Sequence, residues 1–129
     1  MSIERFGGHA PWEITYGYCR VVVAGGWAIT AGTTATGPDG VLHPGDPYGQ
    51  TRAAFAIALA ALREAGATRE QVVRTRMYVT DIAMQAEVGR AHHQTFDPVR
   101  PVATMVAVSA LADPGHLVEV EVEAYVGHP

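Results

Sequence analysis

The chain has 129 residues, 48% hydrophobic and 17% charged, with a net charge of −4 from 13 acidic residues against nine arginines and no lysine. A chain of this size builds one core and no second, so residues 1–129 are read as a single domain with the composition of a folding sequence. The missing lysines exclude Schiff-base and lysine-base chemistry, the acidic balance argues against nucleic acid as a partner, and no stretch approaches the roughly 20 apolar residues of a membrane span. With one cysteine, Cys19, and no basic-plus-apolar leader pattern, the expected compartment is the cytoplasm.

In chain order, Cys19 to Ala24 and Trp27 to Thr34 are rich in Val, Ile and Thr and flank Gly25-Gly26, a pair suited to the positive φ angles of a tight hairpin. A Gly/Pro-rich loop follows and leads to Asp46, a good N-cap, and Pro47, a good first helical residue. The Ala- and Leu-dense segment from Tyr48 to Ala65 repeats Phe55, Leu59 and Leu62 at helical spacing, and Gly66 is placed to end it. Val72 to Val79 alternates Arg74, Arg76 and Tyr78 with apolar neighbours, the pattern of a half-buried strand. Asp81 caps a second predicted helix, from about Ile82 to Phe96, which Asp97-Pro98 stops. Two final strands are predicted at Val102 to Val108 and Leu117 to Val126. This order implies an α+β layer, a mixed sheet with two helices on one face. The other face keeps large residues, which favours a homo-oligomer.

The last strand places Glu119, Glu121 and Glu123 on one face, about 7 Å apart. Two readings stay open. The ladder is salt-bridged to Arg74 and Arg76, or one glutamate sits in a cleft where burial raises its pKa for acid/base work. Adjacent helical residues His92 and His93 point about 100° apart and cannot clasp one metal, and His9, His43, His116 and His128 fit no ligand spacing. No metal or other cofactor is expected. Ser2 and Ser109 are the only serines, and neither lies in a nucleophile elbow.

Several segments together resemble the reactive-intermediate deaminase family (Rid, YjgF-like, formerly endoribonuclease L-PSP). They are Tyr16-Gly17-Tyr18, the hairpin end Ile29-Thr30-Ala31-Gly32, the strand Val73-Arg74-Thr75-Arg76-Met77-Tyr78-Val79-Thr80-Asp81-Ile82, the segment Arg100-Pro101-Val102-Ala103-Thr104-Met105-Val106, and Val118-Glu119-Val120-Glu121. The resemblance covers nearly the whole chain in order. It implies a chorismate-mutase-like α+β fold, a homotrimer, and small-molecule clefts between subunits. It also implies a cleft tyrosine at Tyr18 and a backbone group near the substrate at Gly32. The water-orienting glutamate falls at Glu119 when the last strand is aligned from Asp113-Pro114, and at Glu121 when it is aligned on the final Glu-Ala pair.

The chain departs from the family where a carboxylate-binding arginine is replaced by Ala103, a frequent serine by Ala31, and a common second-helix asparagine by Gly89. Loss of a charged partner of a buried carboxylate costs on the order of 2 to 5 kcal/mol. The expected function is therefore hydrolytic deamination of a reactive imine, enamine or related C=N compound, with Glu119 and Tyr18 in the catalytic roles and Gly32 and Thr104 as hydrogen-bonding groups. The alternative is a non-catalytic ligand-binding or protein-interaction trimer, and a ribonuclease reading is disfavoured by the negative charge. Arg20 and Arg90 are the nearest candidates for a replacement cation, although arginines in such positions are generally solvated.

Overall fold

The structure, a computed structural model, describes residues 2–8 and 10–127; His9 and His128 lie outside them. An edge strand β1 (Ile3–Phe6) and a short helix α1 (Pro11–Tyr16) precede the hairpin β2 (Val21–Ala24) and β3 (Trp27–Thr30). The chain then breaks stride and resumes as β4 (Thr33–Thr34), followed by a small ribbon, β5 (Thr36–Gly37) and β6 (Gly40–Val41). After the long helix α2 (Pro47–Glu64) come β7 (Val72–Val79), α3 (Gln85–Phe96), β8 (Val102–Ala107) and β9 (Val118–Tyr125). The main sheet runs β1-β2-β3-β9-β7-β8, with β4 also paired to β9. Only β7 and β8 are parallel, so the sheet is mixed, as the sequence implied.

Local chemistry explains the boundaries. Gly25 and Gly26 both take positive φ, 58° and 87°, and close the two-residue turn between β2 and β3. Asp46 accepts a hydrogen bond from the Gly49 N–H at 2.9 Å and caps α2, an interaction typically worth about 1 kcal/mol. Asp81 accepts from the Ala83 N–H, but the turn it caps, Ile82–Met84, is 3₁₀ and α3 proper begins at Gln85. The single strand predicted for Trp27 to Thr34 is two strands, interrupted at Ala31-Gly32. The strand predicted from Cys19 starts at Val21.

Both long helices cover one face of the sheet. Ala54, Phe55, Ala58 and Leu62 of α2 and Val88 and Phe96 of α3 form a core with Val118, Val120, Val122 and Ala124 of β9 and Met77 and Val79 of β7. Burying a side chain of the Phe, Leu or Val class stabilises by about 1.5 to 3 kcal/mol. The rings of Phe55 and Phe96 meet edge-on with centroids 5.0 Å apart, and the buried Thr75 hydroxyl bonds His92 Nε2 at 2.7 Å, so His92 serves packing in this helix layer.

Neither long helix covers the opposite face, and the short α1 borders it only at one end, where Glu13 and Ile14 share a hollow with Val22 and Ile29. Cross-strand register puts Trp27, Ile29, Tyr125, Val102 and Val106 on it together with the glutamate ladder, because paired residues share a face. All five apolar or aromatic side chains are at least 41% exposed.

Candidate functional site

Alternation along β9 buries Val118, Val120 and Val122 and turns Glu119, Glu121 and Glu123 to the face opposite the long helices. On the neighbouring β7, Arg74, Arg76 and Tyr78 face the same way and stand opposite Glu123, Glu121 and Glu119 respectively. Their bonds run diagonally. Arg76 Nη1 reaches past Glu121 to Glu123 Oε1 at 2.8 Å, and the Tyr78 hydroxyl donates past Glu119 to Glu121 Oε1 at 2.6 Å. Arg74 also approaches Glu123, at 3.7 Å, and Arg76 keeps a looser 3.9 Å contact with Glu121. Since β7 ends at Val79, no strand residue remains to extend the ladder, and Glu119 has no hydrogen-bond or ion-pair partner among the described residues.

The salt-bridged reading of the ladder therefore applies to Glu123, and the cleft position of the other reading falls to Glu119. Glu123 is a salt-bridged structural group, Glu121 is held by a tyrosine, and Glu119 is the free carboxylate. Burial raises the Glu119 carboxyl above its ordinary range, and the neighbouring Glu121 pushes it further the same way, against smaller opposing pulls from His116 and Arg20. The Tyr78 hydroxyl is also raised, first by its bond to Glu121.

Glu119 opens onto a cleft of about 410 Å³. One wall is polar, with Gly32, Tyr78, Glu119 and Glu121; the other is apolar, with Val108, Ala110 and Leu111. No arginine lines it. Gly32 is the close neighbour: a β-carbon there would lie 2.5 Å from Glu119 Oε2, so only glycine leaves room for that carboxylate position.

The other expected site residues are distributed differently within one chain. Tyr18 and Ala31 line a second depression of about 840 Å³, beside Glu13 and Cys19, and the Ala31-Gly32 break separates the two hollows. Ala103 and Thr104 stand exposed on the edge strand β8, opposite Thr75 and Arg76, and do not line the Glu119 cleft. Gly89 lies on α3 with open space where a side chain would be. Neither arginine considered as a replacement cation is merely solvated. Arg20 Nη1 donates to the Gly32 carbonyl at 3.1 Å and to Thr33 Oγ1 at 2.8 Å, while the Arg90 guanidinium sits over the Tyr48 ring, 4.0 Å from its centre. Sequence reading passed over Tyr78 as a site residue, though its place on an alternating strand with Arg74 and Arg76 was the available signal.

Residues 8–126 match the family described as endoribonuclease L-PSP. The chain belongs to that family. A crystal structure from Mycobacterium tuberculosis, described as a member of the highly conserved YjgF/YER057c/UK114 family, is 45% identical with a TM-score of 0.88, over 97% of this chain and all of the other. An uncharacterised protein of Streptomyces coelicolor is 44% identical over 126 residues, 98% of this chain and 94% of its own. A Yersinia pestis protein of the conserved Rid family is 28% identical with a TM-score of 0.83, over 97% and 100% of the two chains. The L-PSP assignment agrees with the sequence resemblance and with the mixed α+β sheet.

Proposed function

We propose that this L-PSP family member is a hydrolytic deaminase acting on a small imine or enamine that carries no carboxylate. The observation that supports this most is the unpaired, half-buried Glu119 at the mouth of an open cleft beside Gly32. In the reaction, ionised Glu119 takes a proton from water as the oxygen attacks the carbon of the protonated C=N group, and then gives that proton to the nitrogen of the carbinolamine. Glu119 next takes the hydroxyl proton as the C–N bond breaks, a carbonyl compound and ammonia leave, and the last proton passes to solvent.

The substrate class follows from charge. The cleft presents two carboxylates, and the nearest cations are engaged elsewhere, Arg76 with Glu123 and Arg20 with Gly32. A substrate carboxylate would meet like charge, whereas a neutral or protonated C=N group with an apolar substituent matches Glu119 on one side and Leu111 on the other. The same two carboxylates repel RNA phosphates, which counts against nuclease activity.

A homotrimer is part of the proposal. Its support is the sheet face opposite the long helices with its exposed Trp27, Ile29 and Val106, which another copy would cover. Tyr18, Ala103 and Thr104 would then act at a neighbour's cleft, since in their own chain they lie away from Glu119. The test compares imines made in place from primary amines with those made from α-amino acids. Wild type should accelerate hydrolysis of the first set only, and Ala103→Arg should gain the second. Equal wild-type rates on both sets would refute the selectivity, and no acceleration of either would favour a non-catalytic binding trimer.

A further inference from the structure

Arg20 is a cation on the path between the hairpin and the glutamate ladder, and the mechanism above leaves it unused. It precedes β2, held there by two backbone bonds: its own N–H donates to the Phe6 carbonyl at 2.9 Å, and the Ala31 N–H donates to its carbonyl at 2.9 Å. Its side chain reaches over the interruption between β3 and β4, where one terminal nitrogen holds both the Gly32 carbonyl and the Thr33 hydroxyl. Thr33 Oγ1 in turn donates to the Ala31 carbonyl at 3.0 Å, and Thr33 and Thr34 pair with Val120 and Glu119 on β9. One guanidinium therefore holds Gly32 directly, and Ala31 through Thr33, in the break against which the Glu119 carboxylate rests.

We propose that Arg20 is the positioning residue of this site: by clamping Gly32 and Thr33 it fixes the backbone pocket that receives the Glu119 carboxylate. This inference rests on Glu119 being the working acid/base group. Arg20 does not itself line the cleft and acts through Gly32, which does. Its charge also acts on Glu119, in the downward direction, as the smallest of the influences and against the larger upward push of burial and Glu121. The groups facing Glu119 are Glu121 on its own strand, Tyr78 on β7, His116 ahead of β9 and Arg20 behind β4; His116 is buried and bonded through Nε2 to Thr36 Oγ1 at 3.0 Å. Removing Arg20 thus takes away one of two cationic influences and leaves Glu121 in place.

The test is a side-chain carboxyl NMR titration of Glu119 in the full chain, with Glu119→Gln to assign the resonance. In Arg20→Gln the titration midpoint rises beyond the spread of replicate titrations, and Arg20→Lys restores part of the charge effect without the paired bonds to Gly32 and Thr33. Thr33→Val, which removes one acceptor but leaves the charge, supplies a milder variant if Arg20→Gln does not fold. It too should raise the midpoint, by less. An unchanged midpoint in the folded variants overturns the positioning role. The readout needs no substrate, so absence of deaminase activity with a shifted midpoint would refute the proposed reaction and leave the role of Arg20 standing.

Discussion

A β-carbon on Gly32 would lie 2.5 Å from Glu119 Oε2 and 3.0 Å from its Cδ. The contact is with the far end of a flexible side chain, and Gly32 is not in the left-handed region, so the fold can accept a methyl group while the carboxylate cannot stay where it is. Gly32→Ala should change stability by no more than about 1 kcal/mol, the usual range for glycine-to-alanine at a permissive backbone position. It should lower deaminase turnover by about 100-fold, the scale of a misplacement near 1 Å. Thermal unfolding beside a rate measurement separates the two effects; a large stability loss would mean that Gly32 is chiefly structural.

The burial of Glu119 also makes stability depend on pH. Its carboxyl is raised in the folded state, so the native protein binds that proton more tightly than the unfolded chain does. Its contribution to stability is complete below the unfolded carboxylate range near 4.5 and is lost as pH rises through the higher folded value. At neutral pH the ionised group therefore opposes folding. Glu119→Gln should melt higher than wild type at pH 7, with the difference shrinking toward pH 4. A variant that melts lower than wild type at pH 7 would show that Glu119 has a stabilising partner.

The neighbouring carboxylate supplies a second handle on the same group. Glu121 raises Glu119, so Glu121→Gln should lower the pKa of Glu119. Because the ionised form is the base, the acid limb of the pH–rate profile should move to lower pH. An acid limb that stays put would assign the titration to another residue.

Much of this layout is legible in the sequence because it rests on strong local signals. Asp46-Pro47 opens α2, Gly25-Gly26 closes the hairpin, and strict alternation marks β7 and β9. The N-terminal β1 and α1 are not, since four mostly exposed residues and one short six-residue helix carry too little periodicity. Within the ladder, spacing puts three glutamates on one face but says nothing about the diagonal slip that leaves Glu119 free. That slip depends on where β7 ends and on how far Arg76 and Tyr78 reach. The break at Ala31-Gly32 is bridged by a guanidinium from Arg20, 12 residues away from Gly32, a contact that local spacing does not show.

The sheet face opposite the long helices bears on assembly. Ile29 sits there, 45% exposed, paired with Glu123 and next to Trp27 on the same face. An arginine at this position meets the opposite charge of Glu123 in an isolated chain but places a charge in any interface that covers the face, at a cost of several kcal/mol. Ile29→Arg should elute as a folded monomer and wild type as the proposed trimer, by size-exclusion chromatography with light scattering. An unchanged assembly would remove this face from the interface.

In the proposed reaction Glu119 drives hydrolysis of a carboxylate-free imine. The direct measurement is the rate of disappearance of an imine generated from a primary amine, with wild type and Glu119→Gln at equal concentrations and pH 7. Loss of a general base typically costs about 10² to 10⁴ in rate, so wild type should accelerate the reaction and Glu119→Gln should fall close to the uncatalysed rate. Equal acceleration by both proteins would contradict the account.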